Sequence, residues 1–370
     1  MEVAILCRSM FAGGNTGVGF KSFYQYIGYP RLYKSFILKG GPGTGKSTLM
    51  RSVVSALKER TPSMPMELFW CSGAVTSLDG VYLPQIGIAI VDGSHPHCVE
   101  PELPGAAEEI VNLGMYWDAD KLVQQRAKIE RFMHDIARTY SRAYGYLSAA
   151  KLYNAEAEAY MDDAGGLDYS VLEDITNRLI SEILPQKQWV SRSVLEPRHM
   201  FASAICPEGA VNHIQSLMAP LSRVYVMVGQ PTTANDRVLK KICDTARIAG
   251  VFTEVYHCCL DPEQVEHVVF PELGVGVFTS REPHVLHAGL NGRLVDLSKC
   301  IVEHRVKTAL ADQAEVLRLY RESMIRAIGM LSRAREMQGD LQSIYREAMD
   351  FSGVDGEVHR IMREILARIE

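Results

Sequence analysis

Hydrophobic positions in the first third of the chain form short runs and one helical stripe. The short apolar runs predict three β-strands, at residues 35–38, 66–70 and 87–91. Between the first two runs, Leu49, Val53 and Leu57 lie on one face of a predicted helix. The order strand, helix, strand, strand predicts an α/β fold with a mostly parallel sheet and flanking helices.

After residue 100 the pattern changes to a longer helical periodicity. Apolar side chains predict a helix over residues 118–163, with Leu122, Ile129, Met133, Ile136 and Tyr140 on it. A second helix is predicted over 169–184, and the second half carries similar segments at 302–350 and 357–370. Mixed charges on the polar side indicate a solvated face. Two interpretations stay open: long antiparallel helices packed beside the sheet, or an arm that contacts a protein partner.

The chain repeats itself once. Residues 36–50 match 225–239, so that Pro42 falls on Pro231, and residues 78–97 match 265–284 at nearly the same offset. Ordered matches of this kind predict a tandem duplication of about 185 residues per unit. We predict units at 1–190 and 191–370, with α/β cores at about 33–115 and 222–300 and helical segments at about 118–185 and 302–370. The two halves are expected to pack on each other.

Composition narrows the class of protein. With 39 Lys and Arg against 44 Asp and Glu, the net charge is −5, so nucleic-acid binding is not expected. No apolar run is long enough for a membrane span, and the N-terminal residues, with Glu2 and no basic segment, predict no secretory signal. The eight cysteines contain no CxxC pair, which favours reduced thiols in a cytoplasmic protein.

Residues 40–48 carry the strongest chemical signal. They match the pattern GxxxxGK followed by Ser or Thr, between a predicted strand and a predicted helix. Glycines let several backbone N–H groups point at one anion, and the helix N-terminus adds partial positive charge. The predicted phosphate-binding residues are Gly40, Gly41, Pro42, Gly43, Thr44, Gly45, Lys46, Ser47 and Thr48. We expect them to bind a nucleoside triphosphate, ATP, with Lys46 against the β- and γ-phosphates.

A carboxylate follows the third predicted strand. Residues 88–91 are apolar and lead into Asp92, so the strand delivers one acidic group to the edge where ligands bind in open α/β sheets. Hydroxyl and carboxylate oxygens are hard ligands suited to Mg²⁺. We therefore predict that Ser47 and Asp92 hold Mg²⁺.

The group that activates the attacking nucleophile is not defined by the pattern. Gly93 stands where ATP-hydrolysing motors often have a glutamate. Asp79 is predicted as a base or as an acid that contacts substrate, and His97, with His95 beside it, is the other candidate. An arginine that stabilises the transferring phosphoryl group is equally open, with Arg51 as one possibility.

The second half lacks the same chemistry. Ala234, Asn235 and Asp236 replace the final Gly-Lys-Ser of the first-half pattern, and Thr279 replaces Asp92. A carboxylate beside a triphosphate is repelled by about 1 kcal/mol in water and by more near a protein. We therefore predict one active nucleotide site per chain and a disabled site in the second half.

Four segments of the first half, residues 11–20, 36–50, 77–97 and 104–118, resemble a group of bacterial tandem P-loop ATPases. The resemblance covers nearly the whole chain. The resemblance implies two P-loop units in succession, each with helices after its strand aspartate, and ATP binding with hydrolysis. Some members of that group keep a complete P-loop in both units, and this chain departs from them in its second unit.

Three functions are compatible with these residues. The first is a Mg²⁺-dependent ATPase whose nucleotide state is transmitted through the helical segments. The second is a kinase for a small molecule or nucleotide, which needs an acceptor pocket. The third is a non-catalytic adaptor or sensor that binds nucleotide.

Overall fold

A computed structural model describes residues 7–96, 98–184, 195–229, 234–286, 292–307 and 309–369. His97 lies outside these residues, as does most of the predicted boundary between the units. In the first half the strands are β1 (Cys7–Met10), β2 (Gly13–Thr16), β3 (Gly19–Ser22), β4 (Lys34–Lys39), β5 (Met66–Cys71), β6 (Ala74–Leu83), β7 (Ile88–Asp92) and β8 (Glu108–Asn112). Its helices are α1 (Lys46–Arg60), α2 (Ala119–Gln124), α3 (Arg126–Asp163) and α4 (Tyr169–Ile183).

The second half repeats these elements. Its strands are β9 (Arg198–Met200), β10 (Ser203–Cys206), β11 (Gly209–Asn212), β12 (Arg223–Val228), β13 (Glu254–His257), β14 (Val265–Phe270), β15 (Val275–Thr279) and β16 (Arg293–Asp296). Its helices are α5 (Ile214–Met218), α6 (Ala234–Ile248), α7 (Glu303–Val306), α8 (Leu310–Glu347) and α9 (Phe351–Ile369).

The strands form two six-stranded mixed sheets with the same topology. The first has the order β1-β5-β6-β7-β4-β8, and the second has β9-β13-β14-β15-β12-β16. In each sheet the third strand of the order is antiparallel to both neighbours, and the other three pairings are parallel. The expected α/β fold with mostly parallel sheets and flanking helices is confirmed.

The antiparallel strand β6 is not one of the three strands that the sequence pattern predicts. It joins β7 through a tight turn in which Gly87, with φ +70°, donates its N–H to the Leu83 carbonyl at 2.9 Å. Such a φ favours glycine because side chains with a Cβ are strained there. Because the residues on both sides of the turn are apolar, the sequence pattern does not show that the chain reverses direction between β6 and β7.

The last helix of each half packs on the sheet of the other half. Leu179 and Ile183 of α4 belong to the core that contains α6 and the second sheet. Ile361 and Ile365 of α9 belong to the core that contains α1 and the first sheet. The units of the sequence repeat and the units of packing therefore have different boundaries, because the terminal helices are exchanged.

The two long helices α3 and α8 cross the molecule side by side. Ile129, near the start of α3, packs with Leu341 and Ile344 near the end of α8, so the helices run antiparallel. At their centres Ala143 and Ala327, both fully buried, let the backbones approach closely. This agrees with the interpretation of antiparallel packed helices. No helix among the described residues is long and apolar enough to cross a membrane.

The halves share a core at the middle of the molecule. Phe11 and Phe201, both fully buried, exchange backbone hydrogen bonds of 2.9 and 3.0 Å. Around them one hydrophobic cluster combines residues of both halves. The two sheets are thus joined through equivalent residues, as in a two-fold symmetric dimer interface.

Candidate functional site

The predicted phosphate-binding residues form the turn between β4 and α1. Gly43 and Gly45 adopt φ values of +80° and +91°, which side chains with a Cβ rarely adopt. Thr44 is buried, and its hydroxyl donates to the Gly41 carbonyl at 2.9 Å. The backbone therefore turns sharply enough to place the first residue of α1, Lys46, directly beside the loop.

Within the part of the chain that the structure describes, no side chain caps the N-terminus of α1. The first N–H groups of a helix lack partners within the helix, and they carry the positive end of its dipole. An uncapped helix that follows a glycine-rich turn is the arrangement in which anions bind to backbone N–H groups. Thr48 lies exposed in the first turn of this helix.

The Lys46 ammonium group lies over the loop. Its Nζ donates to the carbonyls of Gly40 and Gly41, each at 2.9 Å, and lies 3.7 Å from Asp92 Oδ2. Only 10% of its side-chain surface is exposed. The cation is thus held at the loop by two weak carbonyl acceptors and one carboxylate, an arrangement that a polyphosphate could replace.

Asp92 lies where β7 ends, beside the end of β4. The parallel register pairs it with Leu38, so both strands deliver their last residues to one edge of the sheet. Its Oδ1 accepts a hydrogen bond from the Ser94 N–H at 2.9 Å, while the Ser94 hydroxyl donates to the Gly40 carbonyl at 2.9 Å. Ser94 therefore connects the carboxylate to the glycine loop.

Ser47 faces the antiparallel strand β6. Its Oγ accepts a hydrogen bond from the Leu78 N–H at 2.9 Å. A hydroxyl oxygen has two lone pairs, so one acceptor position remains after this bond. The oxygens of Ser47 and Asp92 fit the requirement of Mg²⁺ for hard oxygen ligands.

Asp79 is buried in β6, with 5% of its surface exposed. It accepts a hydrogen bond from the Tyr24 hydroxyl at 2.6 Å. Burial and the neighbouring Asp79 carboxylate both raise the pKa of Tyr24, so this phenol stays protonated and donating. The predicted roles of Asp79 and His97 as nucleophile-activating groups stay predictions; His95, beside His97, is exposed.

The corresponding position of the second half shows a related but altered arrangement. Asp236 Oδ1 accepts from the Val265 N–H at 2.8 Å, as Ser47 does from Leu78 in the first half, and Asp236 Oδ2 pairs with Lys240 at 2.8 Å. Thr279, the counterpart of Asp92, is buried. Loop residues 230–233 lie outside the described residues. A structural helix-to-strand contact is thus retained where the lysine and the strand aspartate are replaced.

Two further features of this site are not among the residues predicted from the sequence. Ser94 follows Asp92 by two residues, and an Asp-Gly-Ser turn of this kind is the pattern that could have identified it. Tyr345 and Gln342 of α8 contact the glycine loop from the other half of the chain. Nothing local in the sequence connects residues about 300 positions apart.

Comparison of the chain with protein-family models, with curated proteins and with solved structures found no match. The chemistry of the site therefore rests on its own residues. These are a glycine-rich turn with two positive φ angles, an uncapped helix, and a lysine between two carbonyls and the Asp92 carboxylate.

Proposed function

We propose that this protein is a Mg²⁺-dependent ATPase of the P-loop class with one active site, in its first half. The position of the Lys46 ammonium carries the proposal, because it lies at the mouth of a glycine-rich loop and 3.7 Å from a strand-terminal carboxylate.

The loop and α1 supply the binding energy for the phosphates. Backbone N–H groups of the turn and of the uncapped first helical turn bind the phosphate oxygens. Lys46 leaves the carbonyls of Gly40 and Gly41 and neutralises charge on the transferring phosphoryl group. Because these charges interact at a protected site, their interaction is stronger than in water.

Ser47 and Asp92 would hold the metal beside the phosphates. When bound, Mg²⁺ supplies charge neutralisation at the β- and γ-phosphate oxygens. The remaining lone pair of the Ser47 hydroxyl is available for this role, and the Leu78 N–H orients that hydroxyl. Ser94 orients the Asp92 carboxylate in the same way.

The second half serves as a packing partner with a disabled site. Asn235 and Asp236 stand where Lys46 and Ser47 stand in the first half. The second half thus lacks the lysine that neutralises phosphate charge, and the Asp236 carboxylate, paired with Lys240, replaces the hydroxyl that would bind the metal. One ATP bound per chain is expected from equilibrium dialysis, and a stoichiometry of two would contradict this part of the proposal.

The Lys46→Ala variant tests the function. Phosphate release from Mg-ATP is measured without an acceptor, together with ATP affinity, in the wild type, in Lys46→Ala and in Lys58→Ala. Lys58 lies exposed near the end of the same helix, so its variant controls for loss of a lysine charge from α1. We expect phosphate release that disappears only in Lys46→Ala.

Other outcomes decide between the alternatives. Lys46-dependent ATP binding without phosphate release would indicate a nucleotide sensor. Release that requires an added metabolite would indicate a kinase. Equal ATP affinity in the wild type and Lys46→Ala would remove the site assignment altogether.

A further inference from the structure

The elbow between α8 and α9, residues 341–354, lies against the glycine loop of the other half. Its position is fixed by reciprocal backbone bonds: the Asp118 N–H donates to the Ala348 carbonyl at 2.7 Å, and the Asp350 N–H donates to the Tyr116 carbonyl at 2.7 Å. The Tyr116 hydroxyl also donates to Glu357 at 2.9 Å. The elbow is thus attached to the segment that follows β8.

The glycines of the loop are in direct contact with this elbow. A Cβ on Gly41 would lie 2.7 Å from a ring carbon of Tyr345, and a Cβ on Gly43 would lie 2.5 Å from the Gln342 carbonyl oxygen. Real Cβ atoms do not approach other atoms so closely. The α8–α9 elbow therefore forms a wall behind the loop, and only glycine fits between the loop and that wall.

The Gly41 peptide lies between groups that belong to different halves. Its carbonyl accepts from Lys46 Nζ at 2.9 Å and from the Thr44 hydroxyl at 2.9 Å. The Tyr345 ring occupies the side of Gly41 on which a Cβ would stand. When Lys46 moves to a phosphate, the Gly41 carbonyl loses its hydrogen bond from Lys46. The Tyr345 ring still contacts Gly41 and keeps the peptide in place.

We propose that Tyr345 is a positioning residue for the nucleotide, so that the first-half site is complete only with the second half's long helix. This rests on the proposed function. An aromatic ring suits the task because it is rigid and has only two side-chain torsions to order. Trp117 packs near Tyr345, with ring centroids 6.3 Å apart, and restricts the ring further.

The duplication supplies a matched control. Helices α3 and α8 have the same length of 38 residues, and the aligned counterpart of Tyr345 on α3 is Met161. Met161 is buried, so its truncation to Ala destabilises the fold through a cavity. It lies at the end of α3, whereas Ile129 at the start of α3 is the residue that packs beside Leu341. Met161 is therefore far from the first-half loop and is not expected to affect ATP affinity.

The test compares the dissociation constants for Mg-ATP of the full-length wild type, Tyr345→Ala, Tyr345→Phe and Met161→Ala, together with their thermal unfolding. We expect Tyr345→Ala to raise the Kd about tenfold, which is about 1.4 kcal/mol. Tyr345→Phe should restore the wild-type Kd, because the ring and not the hydroxyl contacts Gly41. Met161→Ala should lower the unfolding temperature and leave the Kd unchanged.

Hydrogen exchange of the wild type gives a second measurement that does not depend on a variant at Tyr345. Mg-ATP should slow amide exchange at residues 341–348 in the wild type and not in Lys46→Ala. If ATP binds through Lys46 but neither the Kd of Tyr345→Ala nor the exchange at 341–348 changes, the positioning role is wrong and the proposed function stands. If the wild type does not bind ATP, the proposed function itself fails.

Discussion

At the scale of single residues, the glycine at position 43 satisfies two requirements at once. Its φ of +80° lies in the left-handed region, and its missing Cβ leaves room for the Gln342 carbonyl oxygen. The first requirement comes from the local turn and is visible in the sequence pattern. The second comes from the other half of the chain and is visible only in the fold.

Replacement of Gly43 by Ala separates these two requirements. We expect Gly43→Ala to destabilise the protein by about 1–3 kcal/mol beyond the strain of placing a Cβ at a positive φ. The additional loss arises because the loop must move away from α8. The free energy of unfolding in urea measures this loss. Mg-ATP affinity should fall as well, because the loop N–H groups are displaced.

Gly105→Ala is the matched control. Gly105 has a φ of +77°, and no atom of the described residues lies within 4 Å of the position that a Cβ would take there. This substitution should cost about 1 kcal/mol from backbone strain alone. Equal destabilisation by both substitutions would mean that the contact with Gln342 contributes nothing.

At the scale of elements, the exchange of α4 and α9 decides which parts of the chain stabilise each other. Each of these helices buries one apolar face against a sheet that its own half does not contain. An equivalent backbone hydrogen bond lies just before each of these helices. The Asp168 N–H donates to the Cys300 carbonyl before α4, and the Asp350 N–H donates to the Tyr116 carbonyl before α9, each at 2.7 Å. The helices therefore connect the two halves through their cores and not only through their surfaces.

Truncation of one buried side chain in an exchanged helix tests this arrangement. Ile361 of α9 is fully buried, and Ile361→Ala should cost about 2–5 kcal/mol. Because Ile361 packs with α1, amide protection should be lost first in α1, at the opposite end of the sequence. Native-state hydrogen exchange measures the location of the loss.

The mirror substitution is Leu179→Ala in α4. Leu179 is nearly fully buried and packs with α6 of the second half. Loss of protection should now appear in α6, and α1 should keep its protection. If each truncation instead weakened the helix α1 or α6 of its own half, the exchange of helices would be refuted.

At the scale of the whole molecule, the two halves meet through equivalent charged residues. Arg8 of β1 and Arg198 of β9 both contact Glu67 of β5 and Glu254 of β13. Burial alone raises the pKa of Glu254, but the two guanidinium groups lower it well below the usual carboxyl range. The group therefore stays ionised inside the junction, where it orients both edge strands.

A half-buried histidine at this junction makes stability depend on pH. His213 of the second half stacks on Phe11 of the first, with centroids 5.0 Å apart, and burial lowers its pKa to about 4. In the unfolded chain its pKa returns to about 6.5, so the unfolded state binds more protons between about pH 4 and 6.5. The stability that the neutral ring supplies is present above about pH 6.5 and is lost as the pH falls toward 4.

We expect the unfolding temperature to fall between about pH 7 and pH 5, and to fall less in His213→Phe, which keeps an aromatic ring and removes the titration. Differential scanning calorimetry at several pH values measures both slopes. His359→Gln, at an exposed histidine of α9, serves as a control for the removal of a histidine side chain. A His213→Phe slope equal to that of the wild type would assign the effect to other groups.

The repeat, the long helices and the glycine-rich turn between β4 and α1 could all be predicted from residue patterns. Each of these depends on neighbours along the chain or on an offset between two copies, as for Lys46 and its counterpart Asn235. The three predicted strands accordingly appear as β4, β5 and β7. The helices lie near the predicted positions, but the helix predicted over 118–163 is divided into α2 and α3, and the segment predicted over 302–350 is divided into α7 and α8.

Only the folded molecule shows which elements of one half pack on the other half. The exchange of α4 and α9, and the placement of Tyr345 behind Gly41, depend on how two similar apolar sheets and two similar helices pair. The sheet of a helix's own half and the sheet of the other half present almost the same hydrophobic pattern. Sequence periodicity therefore cannot show on which sheet the helix packs. The choice is made by the packing of α3 on α8 and by the backbone bonds at residues 116–118 and 348–350, which exist only once the chain has folded.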